Sequence, residues 1–202
     1  MFIKLIKTIA YHLFLYKFKK NIKGIHLGAG NNYINGFINI DLNLFSKSDL
    51  LARVNKLYFK ENSVEIIYGS HIFEHIKREH RFRVLSKWHK VLKKGGKIYI
   101  SVPDLEMLFN YYINNIKNYE NPEVREKIDI VTAVIYGGQI NRYDYHCHGY
   151  SYNSIKYLLE YIGFKNVKRI TAEDIKFNTF IDASQFCVDN IPVSLIVEAE
   201  KS

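Results

Sequence analysis

Residues 64–102 read VEIIYGSHIFEHIKREHRFRVLSKWHKVLKKGGKIYISV, and this stretch decides the fold. Val64-Glu65-Ile66-Ile67-Tyr68 is a short β-branched and aromatic run ending at Gly69-Ser70-His71, which predicts a buried strand. A helix is predicted over 74–93, with Phe82, Leu85, Trp88, Val91 and Leu92 on its apolar side. Lys94-Gly95-Gly96 stops it, as glycine does at helix C-termini. Lys97-Ile98-Tyr99-Ile100-Ser101-Val102 predicts a second strand, closed by Pro103-Asp104.

The same alternation extends in both directions. Upstream, Ile25-His26-Leu27 runs into the glycine turn Gly28-Ala29-Gly30, and Phe37-Ile38-Asn39-Ile40-Asp41 is a strand ending on an acid. Downstream, helical patterns cover 104–117 and 122–136. Ser151 or Asn153 caps a further helix that reaches Tyr161 and ends at Gly163, and Val167–Thr171 and Val193–Ala199 read as late strands. Strands alternating with helices imply an α/β fold with a mostly parallel sheet covered by helices on both faces. Ligands of such sheets bind beyond the carboxyl ends of the strands. That rule selects Gly28–Asn32, Asp41, Ser70-His71 and Pro103-Asp104 as one rim.

Composition bounds the rest. The chain has 202 residues, 48% of them hydrophobic and 24% charged, which suits one globular domain and excludes disorder. Two cysteines, Cys147 and Cys187, cannot build a disulfide scaffold and point to a reducing compartment. The net charge is +9, but residues 1–23 hold six lysines and no acid, so the remainder carries only +3. A nucleic-acid partner, which the high overall charge suggests, is therefore not expected. Residues 2–18 read as a basic amphipathic helix too short and too interrupted to span a bilayer. It suits packing on the domain or on a second subunit, or attachment to an anionic membrane surface. The expected organisation is this helix over 1–23 and one domain over 24–202.

The rim chemistry narrows the ligand. A strand running into Gly28-x-Gly30 admits a ligand close to backbone N–H groups, and Asp41 at the end of the next strand suits the two hydroxyls of a ribose. A dinucleotide fingerprint needs a third small residue where Tyr33 stands, and a phosphate loop needs a Gly-Lys-Ser/Thr ending that is missing. S-adenosylmethionine (SAM) carries no phosphate and needs only a glycine turn and a ribose acid, both of which are present.

With IHLGAG, GFINIDLN, SVEIIYGSHIFEHI, VLKKGGKIYISVPDL and GFKNVKRI in hand, the sequence resembles the class I SAM-dependent methyltransferases from about Gly24 to Val102. Within that class it is similar to a small branch associated with bacterial surface polysaccharides. The resemblance implies a Rossmann-like methyltransferase fold with a seven-stranded sheet and SAM as cofactor, with S-adenosylhomocysteine as its product. By it, Leu27, Gly28, Ala29 and Gly30 hold the methionine end, Asp41 and Leu42 the ribose side, and Arg53, Val54 and Asn55 flank the adenine. Ser70 and His71 line the cofactor near its transferable methyl. The family often carries an acid for the adenine amino group at the position where Arg53 stands here.

Methyl transfer to a hydroxyl needs in-line alignment and usually a base. His71 follows the central strand directly and is the first candidate base. His146 and His148, in the loop Tyr143–Ser151, are the others. His71-x-x-Glu74-His75 has the form of an inverted zinc-protease signature, but a histidine held by a carboxylate is the expected arrangement and no metal is expected. The resulting expectation is a SAM-dependent O-methyltransferase acting on a sugar or nucleotide-sugar of capsule or surface-glycan synthesis. A lipid- or quinone-precursor methyltransferase and a non-catalytic SAM-binding scaffold are the alternatives. The expected setting is the cytoplasm or the inner membrane face, as a monomer or homodimer.

Overall fold

The computed structural model describes residues 22–55, 57, 59–177 and 182–202. Its strands are β1 (Gly24–Leu27), β2 (Phe37–Asp41), β3 (Leu50–Leu51), β4 (Val64–Ser70), β5 (Leu92–Pro103), β6 (Phe164–Ile170), β7 (Cys187–Val188), β8 (Ile191–Pro192) and β9 (Ser194–Lys201). Its helices are α1 (Arg81–Val91), α2 (Leu105–Asn115), α3 (Pro122–Tyr136) and α4 (Tyr152–Ile162). One seven-stranded sheet runs in the order β3-β2-β1-β4-β5-β9-β6. Its strands are parallel except β9, which pairs antiparallel with both β5 and β6. Parallel pairing puts the carboxyl ends of β1, β2, β4 and β5 on one edge, which brings Gly28, Asp41, His71 and Asp104 to a common rim.

Both faces of the sheet are buried, as a parallel sheet requires. Ile67 packs on one face with Leu27, Ile40, Leu85, Trp88 and Leu159. Its neighbour Tyr68 points the other way, into a cluster with Phe37, Tyr99, Ile175 and Ile196. Each fully buried aliphatic or aromatic side chain contributes about 1.5–3 kcal/mol. α2 and α3 form a further layer, with Leu108, Tyr111, Ile128 and Val131 packed against Val188 and Val193.

Local chemistry sets the helix ends. Asp104 caps α2 by accepting from the Met107 N–H, and its carboxylate also pairs with Arg169 at 2.6 Å. Asn121 caps α3 with Pro122 in its first turn, and Ser151 caps α4 in a capping box with Ser154. Gly163 closes α4 at φ +111°.

Three elements differ from expectation. The helix predicted over 74–93 is α1 alone, preceded by 3-10 turns at Phe73–His75 and Arg78–His80. The Glu74 carbonyl accepts from the backbone N–H groups of Cys147 and His148, so it does not accept the helical bond four residues on. Lys93–Gly96 belongs to β5 rather than to a helix stop. Strand β3 and the β7–β8 hairpin, which the pattern did not suggest, are present. The amphipathic helix read over residues 2–18 lies outside the described residues. Among the described residues, no helix is long and apolar enough to cross a membrane.

A loop, not a helix, connects the glycine turn to β2, and Asn39 organises it. The buried Asn39 amide accepts from the Ile34 N–H at 2.9 Å, donates to the Ile34 carbonyl at 3.1 Å and lies 3.1 Å from His26 Nδ1. Asn39→Ala strands these buried partners and should cost about 3 kcal/mol in urea unfolding. Tyr33→Phe, which removes an exposed bond to Asp49 on the same loop, should cost less than about 0.5 kcal/mol.

Candidate active site

A cleft of about 1020 Å³ opens at the rim, and Gly28, Asp41, Leu42, Arg53, Val54 and Asn55 all line it. Leu27 and Ala29 are buried beneath it, and Gly30 and Ser70 stand beside it without lining it. Gly28 and Gly30 both have positive φ, +67° and +52°. A Cβ on Gly28 would press on the Ile72 side chain at 3.1 Å, whereas Gly30 faces open space. The turn is therefore a backbone surface that a ligand can approach closely.

Asp41 is already tied into that turn. One carboxylate oxygen accepts from the Gly30 N–H at 2.7 Å and the other from the Asn43 N–H at 2.6 Å. Each oxygen retains a lone pair, so a ribose diol can still be accepted. The segment 53–55 is fixed from behind by α1. Trp88 Nε1 donates to the Val54 carbonyl at 3.1 Å and Lys87 to the Asn55 carbonyl at 3.3 Å. The side-chain Oδ1 of Asn55 is buried with no hydrogen-bond partner, and Asn55 lines the cleft. The open glycine turn and the spare lone pairs of Asp41, with Asn55 on the same cleft, suit an adenosine-bearing cofactor. Sequence reasoning placed Asn55 in this segment without seeing this atom, because Arg53 drew attention as the departure.

His71 ends the central strand in the left-handed region, at φ 48°, a conformation rare for a residue with a Cβ. Its Nε2 lies 2.8 Å from Ser194 Oγ. Ser194 gives its own proton to the Ala183 carbonyl at 3.1 Å, so Nε2–H is the donor. Nδ1 then faces Glu74 Oε1 at 3.1 Å. The Glu74 side chain is 1% exposed, and neither carboxylate oxygen has an aligned hydrogen bond.

The loop after α3 folds back over this point. Cys147 and His148 donate from their backbones to the Glu74 carbonyl, and His146 Nε2 comes to 3.9 Å from Glu74 Oε1. The His75 and His146 rings meet edge to face at 4.7 Å. Burial holds the His146 imidazole below its ordinary pKa, with the Glu74 charge opposing, so the ring is neutral at pH 7. A second pocket of about 290 Å³ is lined by His71, His146, Ile130, Val134, Phe186 and Val193. His75 lines the larger cleft, and Glu74, enclosed among His71, His75 and His146, lines neither space.

The three histidines singled out in the sequence thus part company. His71 and His146 meet at Glu74 and line the smaller pocket. His148 lines neither space, its Nε2 lies 3.0 Å from an Arg81 N–H donor, and burial followed by Arg81 lowers its pKa.

Residues 30–100 match the family model described as a methyltransferase domain. A SAM-dependent methyltransferase from Archaeoglobus fulgidus aligns over 98% of this chain and 94% of its own, at 18% identity and a TM-score of 0.55. One from Thermotoga maritima aligns over 93% and 86%, at 15% identity and a TM-score of 0.54. A Haloferax volcanii methyltransferase, solved with its activator Trm112, aligns over 95% and 87%, at 14% identity and a TM-score of 0.52. This is the SAM-dependent methyltransferase fold. No curated protein matches the sequence significantly. The domain match and the fold together support a SAM-dependent methyltransferase. In that methyltransferase fold the cleft lies at the carboxyl ends of β1, β2 and β4.

The docking of the His146 loop depends on Gly137, at φ +86°, where a Cβ would fall 2.0 Å from the Asp144 carbonyl. Gly137→Ala should therefore unseat the loop. Limited proteolysis should cut within residues 138–148 at least about tenfold faster, because local opening exposes the chain.

Proposed function

We propose that this chain transfers a methyl group from SAM to a hydroxyl of a small acceptor. The observation that carries the reading is the joining of the glycine turn, Asp41 and Asn55 in one cleft at the rim, with His71 and His146 beside it on a smaller pocket. Leu27–Gly30 would seat the methionine end by backbone groups, Asp41 and Leu42 the ribose, and Arg53, Val54 and Asn55 the adenine. Ser70 and His71 would stand nearest the methyl.

Bound SAM supplies an electrophilic methyl on a sulfonium. As the acceptor oxygen displaces the sulfur, the new C–O bond forms while the C–S bond breaks, and the hydroxyl proton must leave. His71 Nδ1 lies 3.1 Å from the buried Glu74 carboxylate, and this pair is where that proton would go. His146 lines the same pocket and is the second choice. Orientation by these walls supplies the rest of the rate.

The acceptor class is read from the linings. Arg53, Lys77 and Arg142 bring three cations to the large cleft, which suits a phosphate-bearing sugar such as a nucleotide-sugar of surface-glycan synthesis. The apolar lining of the smaller pocket favours a second reading, a hydroxyl on an apolar ring of a lipid or quinone precursor. An acceptor screen with methyl-labelled SAM decides between them. Label appearing only in apolar acceptors would overturn the sugar reading.

Calorimetry tests the cofactor cleft. Asp41→Ala and Asn55→Ala should each weaken S-adenosylhomocysteine binding by about 1–3 kcal/mol with the fold intact by circular dichroism. Unchanged affinity in both would contradict the placement. For the proton step, His71→Asn should lower kcat by about 10²–10⁴-fold while leaving S-adenosylhomocysteine affinity within a few-fold of the parent.

A further inference from the structure

Glu74 is a chemical anomaly. It is a carboxylate buried to 1% exposure with no aligned donor on either oxygen, and no lysine or arginine forms an ion pair with it among the described residues. Leaving such a group uncompensated is costly. Around it stand imidazoles rather than apolar side chains. One ligand-type atom from each of Glu74, His75 and His146 lies within 4.8 Å of the others.

The histidines are arranged as ligands are. His75 Nδ1 lies 3.1 Å from the Tyr145 carbonyl, which cannot donate, so Nδ1 carries the hydrogen and Nε2 keeps its lone pair. His146 turns Nε2 toward Glu74 Oε1, at 3.9 Å. Histidines that bind metals commonly fix the other ring nitrogen as His75 does, through an N–H given to a backbone carbonyl. Ligand bonds of about 2.1 Å put neighbouring donor atoms roughly 3.0–3.4 Å apart, so the set must close by about 1 Å per side chain.

We propose that Glu74, His75 and His146 bind one divalent first-row transition cation of the zinc class. Two imidazoles and one carboxylate suit zinc, iron or manganese better than magnesium, which prefers oxygen ligands. Three protein ligands leave an open position, the pattern of a catalytic rather than a structural site. Of the three ligands, His75 lines the large cleft and His146 the smaller pocket, and the role assigned here rests on the methyl-transfer reading. The cation holds the acceptor hydroxyl at its open position and acidifies it, as metal-bound water is acidified. The proton passes to the His71–Glu74 pair, whose Nδ1 and Oε1 lie 3.1 Å apart, and the oxygen then displaces the sulfur.

The test is binding of Zn²⁺ and Co²⁺ to the tag-free full chain after treatment with a chelator. Zn²⁺ is read by elemental analysis after dialysis and by calorimetry, Co²⁺ by its visible absorption. One equivalent should bind per chain, and His75→Ala and His146→Ala should each weaken binding by more than about tenfold. Glu74→Gln, which keeps the shape, should do the same. The circular dichroism spectrum and thermal midpoint, measured on the same preparations, should match those of the parent, which shows that each variant is folded. The proposal is overturned if the parent binds no equivalent of Zn²⁺, or if the histidine variants bind it as tightly as the parent. Failure of the methyltransferase reading would show separately, as absence of S-adenosylhomocysteine binding whatever the metal result.

Discussion

Glu74 ties two distant parts of the chain together. Its backbone carbonyl receives the N–H groups of Cys147 and His148, and its carboxylate faces His71 and His146. The first interaction prevents α1 from starting before Arg81, and so leaves 71–80 as tight turns along the rim. The second holds a buried charge among imidazoles where the sheet presents its carboxyl ends. His75 on the large cleft and His71 and His146 on the smaller pocket are brought together by that crossing.

The cleft floor rests on a parallel constraint. Asp41 and the glycine turn are locked by the Gly30 N–H, while Trp88 and Lys87 fix 54–55 from the far side. Each bond joins a side chain to a backbone group, so side chains on β2 and α1 hold the backbone that shapes the cleft. This is the preorganisation that orientation-dominated chemistry requires.

What the sequence made legible follows strand periodicity and punctuation. The runs at Ile25–Leu27, Phe37–Asp41, Val64–Tyr68 and Lys97–Val102 became four parallel strands, because each is bounded by glycine, acid or proline at its carboxyl end. The grouping of Gly28 with Asp41 followed from the rule that ligands sit beyond those ends, whereas Arg53–Asn55 came from the family resemblance alone. The segment 74–80 was misread because Phe73 and Ile76 extend an apolar pattern whose helical bonds are taken by a loop some seventy residues on. Likewise the two histidine clusters looked independent. Nothing in local spacing reports that His146 crosses to Glu74, since Gly137 and the Cys147 and His148 backbones do that work through tertiary contacts. The value of Asn55 was hidden for a similar reason, because an unpartnered amide is visible only once its surroundings are packed.

The most direct measurement of the account is amide hydrogen exchange on the full chain with and without S-adenosylhomocysteine. The account predicts slowed exchange confined to the rim, at residues 28–32, 42–45 and 52–55, with the strands beneath changing little. Protection centred elsewhere, or none at saturating ligand, would contradict the placement of the cofactor in this cleft.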